Sequence, residues 1–139
     1  MKTARHLDDL VAMIPDGATL MIGGFFGVGS PHRLIQGLAA AQRKGLMIIA
    51  NDTDYPGCGI GKLIEARLVK RLVASHIGAN PETQRQILAG ELEVELVPQG
   101  TLAWIPTEVE PTNNSGPRPM KNAGFSAIFS TKRLWRAQS

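Results

Sequence analysis

Four glycines, Gly23, Gly24, Gly27 and Gly29, crowd the end of the apolar run Leu20-Met21-Ile22, and Ser30-Pro31 follow them. Glycine reaches backbone angles closed to other residues and carries no Cβ, so such a turn brings main-chain N–H groups close to a small molecule. In an open α/β sheet, ligands bind beyond the carboxyl ends of the strands, where this turn falls. A dinucleotide is one candidate. Gly24, Gly27 and Gly29 give G-x-x-G-x-G, however, in place of G-x-G-x-x-G, although Asp52 stands where a ribose-binding acid would sit. A phosphate-binding P-loop fits less well, because Leu63 replaces the Ser or Thr after Gly61-Lys62 and Pro56 occupies the earlier glycine position. Glycines that only make a tight turn are the remaining alternative.

Other reactive side chains are sparse. Cys58 is the single cysteine, which forbids an internal disulfide and fits a reducing cytosol; it reads as a small loop residue. His32 and His76 lie near the same edge but lack carboxylate or cysteine neighbours at ligand spacing, so no metal site is expected. Glu65, Glu82 and Glu91 read as solvated helix or strand-edge charges.

The elements that hold the turn alternate regularly. Thr3 can cap a helix with Leu7, Leu10, Val11 and Ile14 at helical spacing. Leu20 to Ile22 is a buried strand. Ser30 is expected to cap the next helix, with Pro31 at its first position and Leu34, Ile35 and Leu38 as the inner stripe. Leu46 to Ala50 is a second apolar strand; a short helix around Leu63 to Ala66 and a third strand, Leu72 to Ala74, follow. Asn80 and Pro81 cap a helix through Ile87 and Leu88, closed by Gly90. In the fourth strand Leu92, Val94 and Leu96 alternate with Glu91, Glu93 and Glu95, which places it toward the sheet edge. Apolar strands separated by helices predict an α/β fold, an open and mainly parallel sheet flanked by helices on both faces. The regular pattern ends near Ala103, so the sheet is expected to stop after about the fourth strand, with residues 104–139 as a weakly ordered tail.

Composition narrows the class. With 43% hydrophobic and 19% charged residues among 139, the chain is an ordinary globular protein of one domain. No apolar run approaches the roughly 20 residues that span a bilayer, and the acidic start lacks a signal-peptide centre. A cytoplasmic protein without membrane association is therefore expected. The net charge of +3 comes from the last 39 residues, the first hundred being balanced at ten basic and ten acidic. A neutral body with a basic tail is poor support for nucleic-acid binding.

The run from Asp16-Gly17 through Leu20-Met21-Ile22, Gly23-Gly24-Phe25 and Gly29 to Pro31 resembles the signature of family I coenzyme A transferases at every defined position. Ile49 to Thr53, Ala74 to Thr83, Gly90 to Val94 and Val97 to Leu102 are similar to stretches of that family's α subunits, of the acetate/acetoacetate type. The resemblance covers about residues 6 to 103. It implies that residues 1–103 form the N-terminal part of a CoA-transferase α/β domain.

What the resemblance implies for function is a transfer of coenzyme A between a short-chain acyl-CoA or 3-oxoacyl-CoA and a carboxylate such as acetate. A glutamate attacks the thioester and becomes a glutamyl-CoA thioester through an anhydride, nucleophilic catalysis by a carboxylate. In this family that glutamate belongs to the β subunit, so no catalytic residue is expected here, and a β subunit is the expected partner. Coenzyme A enters as substrate, with no separate cofactor. Gly23, Gly24, Phe25, Phe26, Gly27, Val28 and Gly29 are expected to line the CoA and acyl end of the site. Asn51, Gln99 and Gly100, after strands two and four, are secondary candidates; for Asn51 and Gln99 an amide that bonds its own loop is an equal alternative.

The chain departs from the family after Leu102. A second glycine-rich stretch, associated with the oxyanion hole, is replaced by Trp104-Ile105-Pro106-Thr107-Glu108-Val109-Glu110, and only Gly116 and Gly124 occur later. Pro106 to Glu110 is similar to a later family segment, as an internal deletion with a shifted frame would leave it. A non-catalytic remnant that keeps a CoA-binding loop therefore stands beside the working subunit as an alternative.

Overall fold

The computed structural model describes residues 6–104, 127–130 and 133–135. Helix α1 (Leu7–Ala12) leads to strand β1 (Thr19–Ile22), followed by α2 (His32–Ala40), β2 (Leu46–Ala50), α3 (Ile60–Glu65), β3 (Val69–Ala74), α4 (Pro81–Leu88), β4 (Glu93–Leu96) and α5 (Gln99–Trp104). Two short strands, β5 (Ala127–Ser130) and β6 (Arg133–Trp135), complete the sheet. Its order is β4-β3-β2-β1-β5-β6. Strands β1 to β5 run parallel, and β6 is antiparallel to β5.

The expected parallel sheet with helices is present, and β4 lies at an edge, as its alternating acids indicate. The sheet does not stop at the fourth strand, however: β5 pairs with β1 and makes it an interior strand. Ala127 to Ser130 and Arg133 to Trp135 are too short to show a period in sequence. The rest of the expected tail, residues 105–126 with the Thr112 to Pro119 stretch included, 131–132 and 136–139, lies outside the described residues.

The two faces are unequal. From β1 to β4 every crossover steps in one direction, and right-handed crossovers of that kind put their helices on one side. Accordingly α1 packs on α2, α2 on α3 and α3 on α4, in one layer. The core beneath them takes alternate strand residues, Leu20, Ile22, Leu46, Ile48, Leu72 and Ala74, together with Leu34, Ile35 and Leu38 of α2 and Leu63 and Ile64 of α3. The opposite face is thinner: Ile49 and Val73 are buried there with Leu102 of α5, flanked by Met21, Met47 and Val97.

Helix starts follow two patterns. Asn80 caps α4, its side chain accepting from the N–H groups of Glu82 and Thr83. Its amide nitrogen also donates 3.2 Å to the Thr53 carbonyl, and the Thr53 and Thr83 hydroxyls lie 2.8 Å apart, tying α4 to the loop after β2. Ser30, by contrast, does not cap α2. Pro31 holds the N-cap position without a side-chain bond, and the Ser30 side chain is buried toward Gly24, its hydroxyl without a partner among the described residues. His6 precedes α1, and Thr3 lies outside the described residues. Strand β3 begins three residues before the expected Leu72, because Lys70 and Arg71 hide its start in an apolarity scan.

Replacing Asn80 by Ala removes a cap and a buried hydrogen bond together. We expect a loss of about 2 kcal/mol of unfolding free energy in urea titration, against less than about 0.5 kcal/mol for an exposed control such as Gln36→Ala.

Candidate functional site

The glycine run leaves β1 and reverses at once. Phe25 and Val28 exchange both backbone hydrogen bonds at 2.9 Å, and the two central residues, Phe26 and Gly27, have φ of 47° and 83°. Two successive positive φ values define a type I′ reversal, cheap for Gly27 but strained for Phe26 by roughly 1 kcal/mol. Two buried acids from the loop after β2 hold it. The Phe26 N–H donates 3.1 Å to Asp52 Oδ2 and the Gly27 N–H donates 2.6 Å to Asp54 Oδ1. The other Asp54 oxygen accepts 2.8 Å from the Ile60 N–H, capping α3 from a distance, and Asp52 Oδ1 accepts from the Asp54 N–H. His32 Nε2 lies 2.7 Å from the Gly27 carbonyl.

This arrangement changes what the glycine turn can do. Two of its central N–H groups are committed to carboxylates, so they do not form an open cradle for an anion. Asp52, 2% exposed and bonded to Phe26, Asn51 and Asp54, is a scaffold residue rather than the ribose-binding acid of a dinucleotide site. The turn instead presents an apolar tip. Phe25 is 61% and Val28 77% exposed; Gly29 is exposed, Gly23 and Gly24 half-buried, and Gly27 buried. The Phe26 ring stacks on Tyr55 at 5.5 Å between centroids and meets His76 edge-on at 5.9 Å. A Cβ at Gly24, where φ is 145°, would run into the Ser30 hydroxyl, and one at Gly27 would lie 2.9 Å from Cys58 Sγ.

Asn51 and Gln99 are joined to the turn. Asn51 Nδ2 donates 2.8 Å to the same Asp52 oxygen that receives Phe26. The Ser75 hydroxyl, at the end of β3, lies 2.8 Å from the Asn51 carbonyl, from Asn51 Oδ1 and from Gln99 Oε1. A continuous path of polar contacts thus runs from Phe26 through Asp52, Asn51 and Ser75 to Gln99. Asn51 is a loop-bonding amide in fact, while Gln99 remains exposed in the first turn of α5. Gly100 beside it is exposed as well. The sequence does not single out Asp54, Ser75 or Tyr55; an acid two residues after Asp52 is the available signal for Asp54.

Burial is the leading cause that raises the Asp54 carboxyl above its ordinary value of 3.8, with Asp52 adding to it and the Ile60 and Gly27 N–H groups opposing. Glu82, on the surface of α4, goes the other way, held at about 2 by its hydrogen bond to Arg85 first and Gln86 second. Among the described residues no three of His, Cys, Asp and Glu gather to hold a metal ion. No described helix is long and apolar enough to cross a membrane.

The strands, the turn and the polar edge define a coenzyme A transferase domain, and the family model described as coenzyme A transferase matches residues 4–107. The chain belongs to the coenzyme A transferase family. It is 49% identical over 103 residues to the acetate CoA-transferase subunit alpha of Escherichia coli (strain K12), covering 73% of this chain and 47% of that protein. It is 53% identical over 97 residues to the acetoacetyl-CoA:acetate/butyrate CoA transferase alpha subunit of Clostridium acetobutylicum, covering 70% and 44%. The chain therefore spans about half the length of these curated relatives. Among solved structures, an acyl-CoA transferase of Escherichia coli O157:H7 in a thioester complex with CoA superposes with a TM-score of 0.59 at 27% identity, covering 70% of this chain and 20% of that one. The decarboxylase AibA/AibB superposes with a TM-score of 0.61, also at 27% identity, covering 76% and 43%. One fold thus carries more than one chemistry.

The Asp54 shift has a signed consequence. Its folded carboxyl holds the proton to a higher pH than the unfolded one, so stability falls as pH rises from 3.8 through the raised value. Glu82 contributes in the opposite sense between about 2 and 4.5. Urea midpoints measured against pH should therefore decline more with rising pH in the parent chain than in Asp54→Asn. Parallel curves for the two would show that Asp54 titrates normally.

Proposed function

We propose that this chain supplies the α-subunit side of a CoA-transferase site, moving coenzyme A between a short-chain acyl-CoA or 3-oxoacyl-CoA and a carboxylate such as acetate. The observation that carries it is the rigid, glycine-built reversal at the carboxyl end of β1, braced by Asp52 and Asp54. The high identity to two α subunits with acetate in their names supports the substrate class. Residues 1–103 form the transferase part, and the chain works in the cytoplasm with a β subunit.

In this scheme Gly23 to Gly29 line the CoA and acyl end. The exposed Phe25 and Val28 exclude water from a thioester, which strengthens polar interactions in the space they close. Gln99 and Gly100 border the same edge, and Asn51 braces it. The nucleophilic glutamate comes from the β subunit: it attacks the thioester carbonyl and expels CoA thiolate as an anhydride forms, and the thiolate then attacks the glutamyl carbonyl, giving glutamyl-CoA and releasing the donor's carboxylate. The acceptor carboxylate reverses these steps. Asp52 and Asp54, the acids that brace the turn, are not suited to that attack, since both are buried and already engaged.

Co-expression with a family β subunit, followed by incubation with acetoacetyl-CoA and labelled acetate, tests the proposal. Label in acetyl-CoA, lost when the β-subunit glutamate is changed to Ala, is the expected result. A folded, co-purifying complex without transfer would favour the non-catalytic remnant. Gly24→Val, which drives a side chain into Ser30, should weaken CoA binding at least about tenfold in calorimetry with the complex; equal affinity would remove the turn from the site.

A further inference from the structure

Two rings meet across the loops that follow β1 and β2. Phe26 and Tyr55 stack at 5.5 Å between centroids, with 24° between their planes. Phe25 and His76 meet Phe26 nearly edge-on, at 4.4 and 5.9 Å. Both members of the stack are held from the backbone. Phe26 keeps a φ of 47°, a strained conformation for a bulky residue, and Asp52 accepts its N–H. Tyr55 follows Asp54, another residue at positive φ, whose carboxylate accepts from Gly27 and Ile60. The Tyr55 carbonyl accepts 3.0 Å from the Cys58 N–H. Strain of this kind persists only where the surrounding structure over-determines it, and it gathers at ligand sites. Tyr55 is 50% exposed and Phe26 half-buried, so the stack borders open space rather than core. The exposed residues of the two tips, Phe25, Val28 and Gly29 on one and Tyr55, Pro56 and Gly57 on the other, carry no charge.

We propose that Tyr55 determines how long an acyl group the site accepts. Its ring covers Phe26 and takes up the space beside the turn that the far carbons of a longer chain would need. The inference rests on the transferase proposal, which puts the acyl end at the Gly23 to Gly29 turn. The chemical class selected is a short, unbranched aliphatic acyl group. A second carboxylate on that group would meet uncharged tips and ring faces of negative potential, and would be left without a partner. Removing the Tyr55 ring opens a space of its own size and uncovers a face of Phe26. Each CH2 that moves there from water then gains about fourfold in affinity. The ring does the blocking, not the hydroxyl.

The test is a ratio, so that a general loss of activity cancels from it. With the two-subunit complex and acetoacetyl-CoA as donor, kcat/KM is measured for acetate, butyrate and hexanoate as acceptors. In Tyr55→Ala the hexanoate-to-acetate ratio should rise at least about tenfold, the effect of two or more newly buried CH2 groups. Tyr55→Phe, which keeps the ring, should hold the parent ratio within about twofold. Tyr55→Leu keeps an apolar contact with Phe26 and should fall between parent and Ala; it carries the test alone if Tyr55→Ala does not fold. An unchanged ratio in Ala and Leu overturns the proposal, and so does a rise in Tyr55→Phe as large as that in Tyr55→Ala. Absence of transfer by the parent complex counts against the transferase proposal instead. Calorimetry with acetyl-CoA and hexanoyl-CoA then decides the role of Tyr55: their affinity ratio should shift toward hexanoyl-CoA in Tyr55→Ala. An unshifted ratio, or no binding of either, overturns it.

Discussion

Two buried carboxylates after the second strand hold the first strand's turn. Asp52 and Asp54 receive the N–H groups of Phe26 and Gly27, two residues held at positive φ. Remove those acceptors and the strained Phe26 is left with its ring contacts and the flanking Phe25–Val28 backbone pair. The bonds cross between loops 26 and 27 residues apart in sequence, so they order the carboxyl edge of the sheet as one piece. Asp54 also caps α3, and Asp52 fixes the Asn51 amide. Turn, helix start and polar edge share the same anchors.

That anchoring is the reason the turn is not a phosphate cradle despite its glycines. An anion-binding loop keeps its N–H groups free for the ligand; here the central two are spent on the protein's own acids. What remains is a stiff ledge with an apolar tip at Phe25 and Val28 and a carboxamide at Gln99 nearby along the edge. On the proposed function, this ledge meets a thioester and its acyl group rather than a diphosphate. The buried acids carry an electrostatic cost, visible in the raised Asp54 carboxyl, and the N–H donors offset it.

Much of this is legible in sequence. Leu20, Ile48, Leu38 and Leu72 declare the core because an apolar run or a helical stripe is costly to leave in water, and all four are fully buried. Asn80-Pro81 announces a helix start, and the acids of β4 an edge. What is not legible shares a cause: it depends on partners distant in sequence. Ser30 has the composition of a cap, but the path of the turn sends its side chain toward Gly24. Asp52 is legible as a candidate ribose ligand, yet its burial against Phe26 cannot be read from its neighbours. Ser75 is an ordinary residue until Asn51 and Gln99 arrive on either side, and β5 is too short to announce itself until it lies beside β1.

The most direct test of the account is the position of coenzyme A in a structure of this chain complexed with a family β subunit. The account places the thiol end of CoA within van der Waals reach of the Gly23 to Gly29 turn, with Gln99 bordering the acyl group. A thiol bound at the opposite edge of the sheet, with this turn untouched, would contradict it.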